Sequence, residues 1–187
     1  MQELVDGLTL YHGSYCEVRN PELCQGAKFK DFGQGFYLTT SKKQAESITR
    51  ISVKKAVSGG KTDSIQEYGF VSVFRFTRNE ELHVQIYPEA DSDWLHCIVG
   101  HRKKHMFPEI VREMKKYDII GGKIANDNTN ATIAAYMAMA FGEIGTKKAD
   151  DLCIGLLLPE RLQDQFCFRT DKALESITFV ESEKIWL

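Results

Sequence analysis

Two short stretches concentrate residue types that do chemistry. Tyr11-His12-Gly13-Ser14 sets an imidazole beside a residue with no side chain, and Gly33-Gln34-Gly35-Phe36-Tyr37 sets two glycines ahead of two aromatic rings, with Thr39 and Ser41 just beyond. An imidazole accepts or donates hydrogen bonds and carries protons near neutral pH. A Tyr ring offers a flat face for stacking, and glycines let a strand turn sharply or approach a ligand closely. Each residue also has a plainer role alone: His12 in a turn, Tyr37 in sheet core, Gly33 and Gly35 in a hairpin bend. His96, Cys97, His101 and His105 invite a metal reading, yet no carboxylate or second His-Cys pair completes a set. No metal is expected. The run 101–105, HRKKH, concentrates positive charge that could meet a phosphate backbone or an acidic partner, with a solvated helix face as the expected account.

These clusters need elements to hold them. Residues 8–12 read as a strand ending at Gly13-Ser14, and 34–40 as a second strand. Ser41 can cap a helix to about Val57 with an approximate apolar stripe of Ala45, Ile48, Ile51 and Ala56. A loop at 58–64 leads to a largely buried strand at 70–77, and 93–117 has helical spacing. YDII (117–120) reads as a short strand running into Gly121-Gly122. A polar turn at 126–130, where Asn126 and Asp127 are N-cap candidates, precedes a helix at 131–141 that is apolar all round and so expected in the core. If part of it is exposed, it would be a partner surface. A helix at 147–157 stops at Pro159, 165–170 is a strand, Asp171 caps a helical turn, and 177–182 is a last strand. Strands and helices do not alternate strictly, so the expected class is α+β, in one domain over 1–187.

Composition bounds the rest. The 187 residues are 43% hydrophobic and 27% charged, which excludes wholesale disorder and collagen-like repeats. With 24 Lys and Arg against 26 Asp and Glu, the net charge of −2 makes no global case for nucleic acid or membrane. The five cysteines form no C-x-x-C pair, the N-terminus has no signal-peptide pattern, and no uncharged segment is long enough to span a bilayer. A reducing, cytoplasmic setting without membrane attachment is expected.

The ordered set of an aromatic-His-Gly-Ser turn and a Gly-x-Gly-[aromatic]-Tyr strand resembles the ADP-ribosyltransferase superfamily, in the branch shared by diphtheria toxin and the poly(ADP-ribose) polymerases. YDIIGGKIAND (117–127) and QFCFRTDKAL (165–174) strengthen a resemblance to a bacterial family of uncharacterised domains assigned to that superfamily. The resemblance implies a split β core of two packed, antiparallel-rich sheets with flanking helices. It implies NAD as substrate and cleavage of the nicotinamide–ribose bond through an oxocarbenium-like state. His12, Tyr37 and Gln165 would be the catalytic set, with His12, Gly13, Gly35, Phe36, Tyr37, Thr39 and Ile48 contacting NAD. Asp164, Gln163 and Asp127 are further candidates for contact with the acceptor or ligand, each with a plainer reading as loop or cap.

Two positions depart from the superfamily. Gln165 stands where a Glu usually opens the late strand, and an amide accepts a hydrogen bond but takes no proton at ordinary pH. Asp164 would be the candidate for the missing base. Ile48 stands where relatives carry a second aromatic ring, which leaves Phe36 or Tyr15 to compensate. The reading is a mono-ADP-ribosyltransferase acting on a protein or nucleic-acid acceptor, by resemblance a bacterial toxin or effector with an antitoxin or immunity protein as partner. The rivals are an NAD glycohydrolase and a non-catalytic module that binds NAD, ADP-ribose or a protein.

Overall fold

Leu8 and Leu10, Phe36 and Leu38, Phe74 and Phe76, and Phe166 and Phe168 form pairs two apart, the period of strands with one buried face. The computed structural model describes residues 1–23, 30–103, 105–125 and 127–187, with backbone alone for Asp127 and Asn128. In it these pairs line one side of a seven-stranded sheet. The strands are β1 (Thr9–Ser14), β2 (Phe36–Thr39), β3 (Tyr68–Phe76), β4 (Val84–Ile86), β5 (Ile119–Lys123), β6 (Asp164–Phe168) and β7 (Ile177–Trp186). Their order is β4-β5-β6-β2-β1-β3-β7, antiparallel throughout except for parallel β4 and β5. The helices are α1 (Lys42–Ser58), α2 (Ser92–Arg102), α3 (Pro108–Met114), α4 (Asp127–Met137), α5 (Lys147–Leu157) and α6 (Asp171–Leu174). The chain is α+β, as expected.

Two packed sheets were expected, but the described strands form one. Its ladder is thin at a single place. β1 pairs with β3 over six positions and β2 with β6 over four, whereas β1 and β2 meet at one Cα pair, Tyr11 opposite Thr39. The sheet is therefore two well-paired halves, β4-β5-β6-β2 and β1-β3-β7, hinged at that pair.

Helix α1 lies over β1 and β3 through Ala45, Thr49, Val53 and Ala56. The buried face includes polar Thr49 in place of the expected Ile48 and Ile51, because its hydroxyl has the Ala45 and Phe70 carbonyls as partners. Ser41 caps α1 as expected, accepting from the Gln44 amide at 3.2 Å. Trp94, Leu95 and Ile98 of α2, Ile133 and Tyr136 of α4, and Cys153 and Leu157 of α5 cover Ile120 and Cys167 on the same side of the sheet. Burying each such side chain is worth about 1.5–3 kcal/mol.

Several boundaries moved for local reasons. The helical stretch 93–117 breaks at Phe107, whose φ of 48° turns the chain before Pro108 starts α3. Helix α4 starts at Asp127, inside the expected polar turn, and ends at Met137. It is not buried all round: Ile133 and Tyr136 are core, while Met139 just beyond is exposed. Thr170 rather than Asp171 caps α6, its hydroxyl accepting from the Ala173 amide at 3.2 Å. β1 and β5 run through their glycines instead of ending there, and β7 continues to Trp186. β4 is too short to leave a periodic signal. Among the described residues, no helix is long and apolar enough to cross a membrane.

Candidate functional site

His12 stands where the two halves of the sheet part. Its Nδ1–H donates to the Tyr37 carbonyl at 2.8 Å, so a side chain continues the β1–β2 connection where the backbone ladder stops. Its ring stacks on Phe36 with centroids 4.4 Å apart. Burial lowers the imidazole pKa below 6.5, so the ring is neutral at pH 7. With Nδ1 as donor, Nε2 is a lone-pair acceptor, and it has no hydrogen bond among the described residues. Among the described residues the fully buried side-chain atoms without a partner are His101 Nε2, Arg169 Nε and Ser182 Oγ, and His12 Nε2 is not one of them. Nε2 is thus an unpartnered acceptor that is not fully enclosed.

Gly13, next along β1, faces α1. A Cβ there would overlap the Ala45 carbonyl oxygen and lie 2.7 Å from Thr49 Oγ1, so close helix packing alone requires glycine. Gly33 has φ +79°, and a Cβ would lie 2.7 Å from His101 Cδ2. This turn folds residues 31–35 back onto the sheet beside β2 and α2. There the Tyr37 hydroxyl donates to the Gly33 carbonyl at 2.7 Å and accepts from the Phe32 amide at 3.1 Å. Burial raises the Tyr37 pKa well above 10, so the phenol remains protonated. Gly35 lets β2 approach β6, since a Cβ would meet Cys167 Sγ at 2.5 Å. Burial also pushes the Cys167 thiol up to about 12, so it is no nucleophile.

Strand register decides which candidates share a face. Thr39 lies opposite Gln165 and Tyr37 opposite Cys167, so Tyr37, Thr39 and Gln165 project to the helix-covered side. His12 and Phe36 alternate to the other side. The sequence candidates therefore approach the parting of the sheet from its two faces.

Gln165 is 7% exposed, and its Nε2 donates to Asp31 Oδ2 at 2.8 Å and to the Lys123 carbonyl at 3.3 Å. Asp31 is equally buried. Its Oδ1 accepts from Arg102 Nε at 3.0 Å and Nη2 at 2.5 Å, and its Oδ2 also accepts from the Ala125 amide at 3.1 Å. Removing one member of such a buried ion pair costs about 3–5 kcal/mol. Gln165 Oε1 has no hydrogen bond among the described residues and is not a buried orphan, so like His12 Nε2 it is an open acceptor. Asp31 and Arg102 are the site residues that sequence reading missed. The available signal was an acid two residues before the Gly-x-Gly turn, which folds inward and so needs a buried cation.

The remaining candidates are committed elsewhere or lie apart. Thr39 Oγ1 donates to the Asp164 carbonyl at 2.8 Å and accepts from the Ser41 amide, so it fastens the ends of β2 and β6. Asp164 opens β6 rather than lying in a solvated loop. Its Oδ1 pairs with Lys123 Nζ at 2.7 Å and its Oδ2 accepts from the Gln2 amide at 2.6 Å. Gln163 is exposed, and its carbonyl accepts from the Ile124 amide. Ile48 is half-buried on α1, and Phe36 is turned away from the Tyr37 ring. Tyr15 holds α1 through its amide and Ser52 Oγ. Asn126 and the Asp127 side chain lie outside the described residues.

The His-rich stretch is not a solvated face throughout. Arg102 turns in to Asp31, and His101 Nδ1 donates to the Cys97 carbonyl at 2.8 Å. His96 stacks on Phe107 and bonds Asp150 at 2.8 Å, while His105 is exposed. Beside Gln34 opens a depression of about 460 Å³ carrying Lys115, Tyr117, Arg169, Thr170 and Asp171. No curated protein matches the chain. A family model matches residues 8–179, from just before β1 into β7, and the chain therefore belongs to DUF3990, described as a protein of unknown function.

Proposed function

We propose that the chain binds NAD where β1 and β2 part and, as a mono-ADP-ribosyltransferase, transfers ADP-ribose once to a macromolecular acceptor. One observation carries the reading: the sheet thins to a single residue pair beside the two sequence motifs, and His12 Nε2 and Gln165 Oε1 are left as open acceptors there. Ribose hydroxyls are donors, so each neutral acceptor can receive one from its own face of the sheet. The supporting scaffold is a single sheet whose two halves meet only at Tyr11 and Thr39, in place of the two packed sheets that the resemblance implies. Lys115 and Arg169 in the depression beside Gln34 offer positive charge for a diphosphate.

In the reaction the C1′–N bond breaks and its electron pair leaves with nicotinamide, cancelling the ring's positive charge. The ribose becomes oxocarbenium-like, and holding its hydroxyls orients C1′ toward the incoming group. The acceptor bonds to C1′ and loses its proton. Asp31 and Asp164 are each engaged by a cation, Arg102 and Lys123. This favours an acceptor that needs little deprotonation or brings its own base to take that proton, and single transfer over elongation on ribose hydroxyls. A role as a toxin held by an antitoxin or immunity protein follows from the resemblance alone.

Labelled NAD incubated with a cell lysate tests the reading. Wild type should label a macromolecule, with loss of at least about tenfold in His12→Ala and Gln165→Ala, each lacking one ribose contact. Equal labelling by all three proteins would reject the site. Nicotinamide release without labelling would identify a glycohydrolase, and NAD binding without either would identify a binding module.

A further inference from the structure

The Gln165 amide is held in one orientation by an ion pair that takes no part in the backbone ladder. Its NH2 group faces two acceptors, the Asp31 carboxylate and the Lys123 carbonyl, and a flipped amide would set its oxygen against both. Asp31 is held in turn by Arg102 and the Ala125 amide, and Arg102 is anchored by the Ala125 carbonyl at 2.9 Å and Asn130 Oδ1 at 2.8 Å. The chain of contacts runs from α2 through the 31–35 turn to β6. Gln165 Oε1 has no hydrogen bond among the described residues.

We propose that Asp31 is a positioning residue that fixes Gln165 with Oε1 outward, and that Asp31 and residue 165 together admit one negative charge against Arg102. The functional half of this rests on Oε1 receiving a ribose hydroxyl, as proposed above. The charge-balance half stands on the ion pair alone. A carboxylate at 165 would face Asp31 at the 2.8 Å now spanned by a hydrogen bond, which two anions cannot share without a proton between them. Gln165 is therefore the residue that the Asp31–Arg102 pair demands. Moving the charge across the contact, with an amide at 31 and a carboxylate at 165, restores one anion, one cation and one amide.

The test melts four full-length proteins at pH 5 and pH 8: wild type, Gln165→Glu, Asp31→Asn and the double variant Asp31→Asn with Gln165→Glu. Gln165→Glu should melt about 10 °C below wild type at pH 8 and recover part of that at pH 5, where one carboxyl takes a proton. The double variant should regain more than half of the loss at pH 8. Gln165→Glu melting like wild type at both pH values, or a double variant no better than Gln165→Glu, overturns the charge balance. Calorimetry with NAD supplies the second readout. Asp31→Asn leaves the amide free to turn and should bind NAD at least about tenfold more weakly than wild type, about 1.4 kcal/mol. Equal affinity would overturn the positioning role. If wild type itself binds no NAD, the functional reading and the positioning role fall together, while the melting series still decides the charge balance.

Discussion

Two buried carboxylates organise this molecule, and they do so differently. Asp150, 2% exposed, accepts from His96 Nε2 and from the Tyr136 hydroxyl, which in turn accepts from the Gly145 amide at 2.9 Å. That network ties α2, α4 and α5 to one another. Asp31 ties the 31–35 turn to α2 and β6, but its network ends on an amide oxygen that is not fully enclosed. The contrast separates scaffold from site by a physical criterion. The Asp150 network joins helix to helix, whereas the Asp31 network joins a helix and a turn to Gln165, a residue of the proposed site.

Breaking each network should give different signatures. The largest effect is expected from Asp31→Ala, which leaves Arg102 without its counter-charge. It should lower unfolding free energy in urea by about 3–5 kcal/mol and abolish NAD binding by the protein that remains folded. A loss below about 1 kcal/mol would mean that Arg102 finds another partner. Asp150→Asn should cost less, about 1–3 kcal/mol, because an amide oxygen still accepts from Tyr136 or His96. NAD affinity per folded molecule should not change, and a parallel loss of affinity would merge the two networks.

The smallest effect is the pH dependence at His12. Its folded pKa lies below 6.5, so as pH falls through about 6.5 the unfolded chain takes up a proton that the folded chain refuses. Stability should be flat above that point and decline below it, by at most about 1.4 kcal/mol per pH unit for this group, until the folded imidazole also protonates. His101, lowered by burial too, adds to the same slope. His12→Asn keeps a donor for the Tyr37 carbonyl and removes the titration, so its urea-midpoint profile from pH 7 to pH 5 should be shallower than wild type. An unchanged slope would assign the whole decline to other groups.

Much of the fold was legible because it is local. Residues 8–12, 34–40, 70–77 and 165–170 read as strands and Ser41 as the cap of α1, and each stands there as β1, β2, β3, β6 and α1. Three features were hidden for three reasons. Thr49 is buried by virtue of a carbonyl on β3, a partner invisible along the helix. The turn at Phe107 interrupts a stretch whose apolar spacing is helical on both sides. Asp31 and Arg102 are 71 residues apart, and each alone looks like a surface charge. Of the proposed site, His12, Tyr37 and Gln165 were visible as motif residues. What holds Gln165 was not, because an ion pair across the fold leaves no period in the sequence.

Calorimetric titration of NAD into wild type, Gln165→Ala and Tyr136→Phe tests most directly whether the Asp31 network serves the site and the Asp150 network is scaffold. Wild type and Tyr136→Phe should bind with the same affinity, and Gln165→Ala at least about tenfold more weakly, having lost the outward acceptor. Equal binding by all three, or no binding by wild type, would contradict the account.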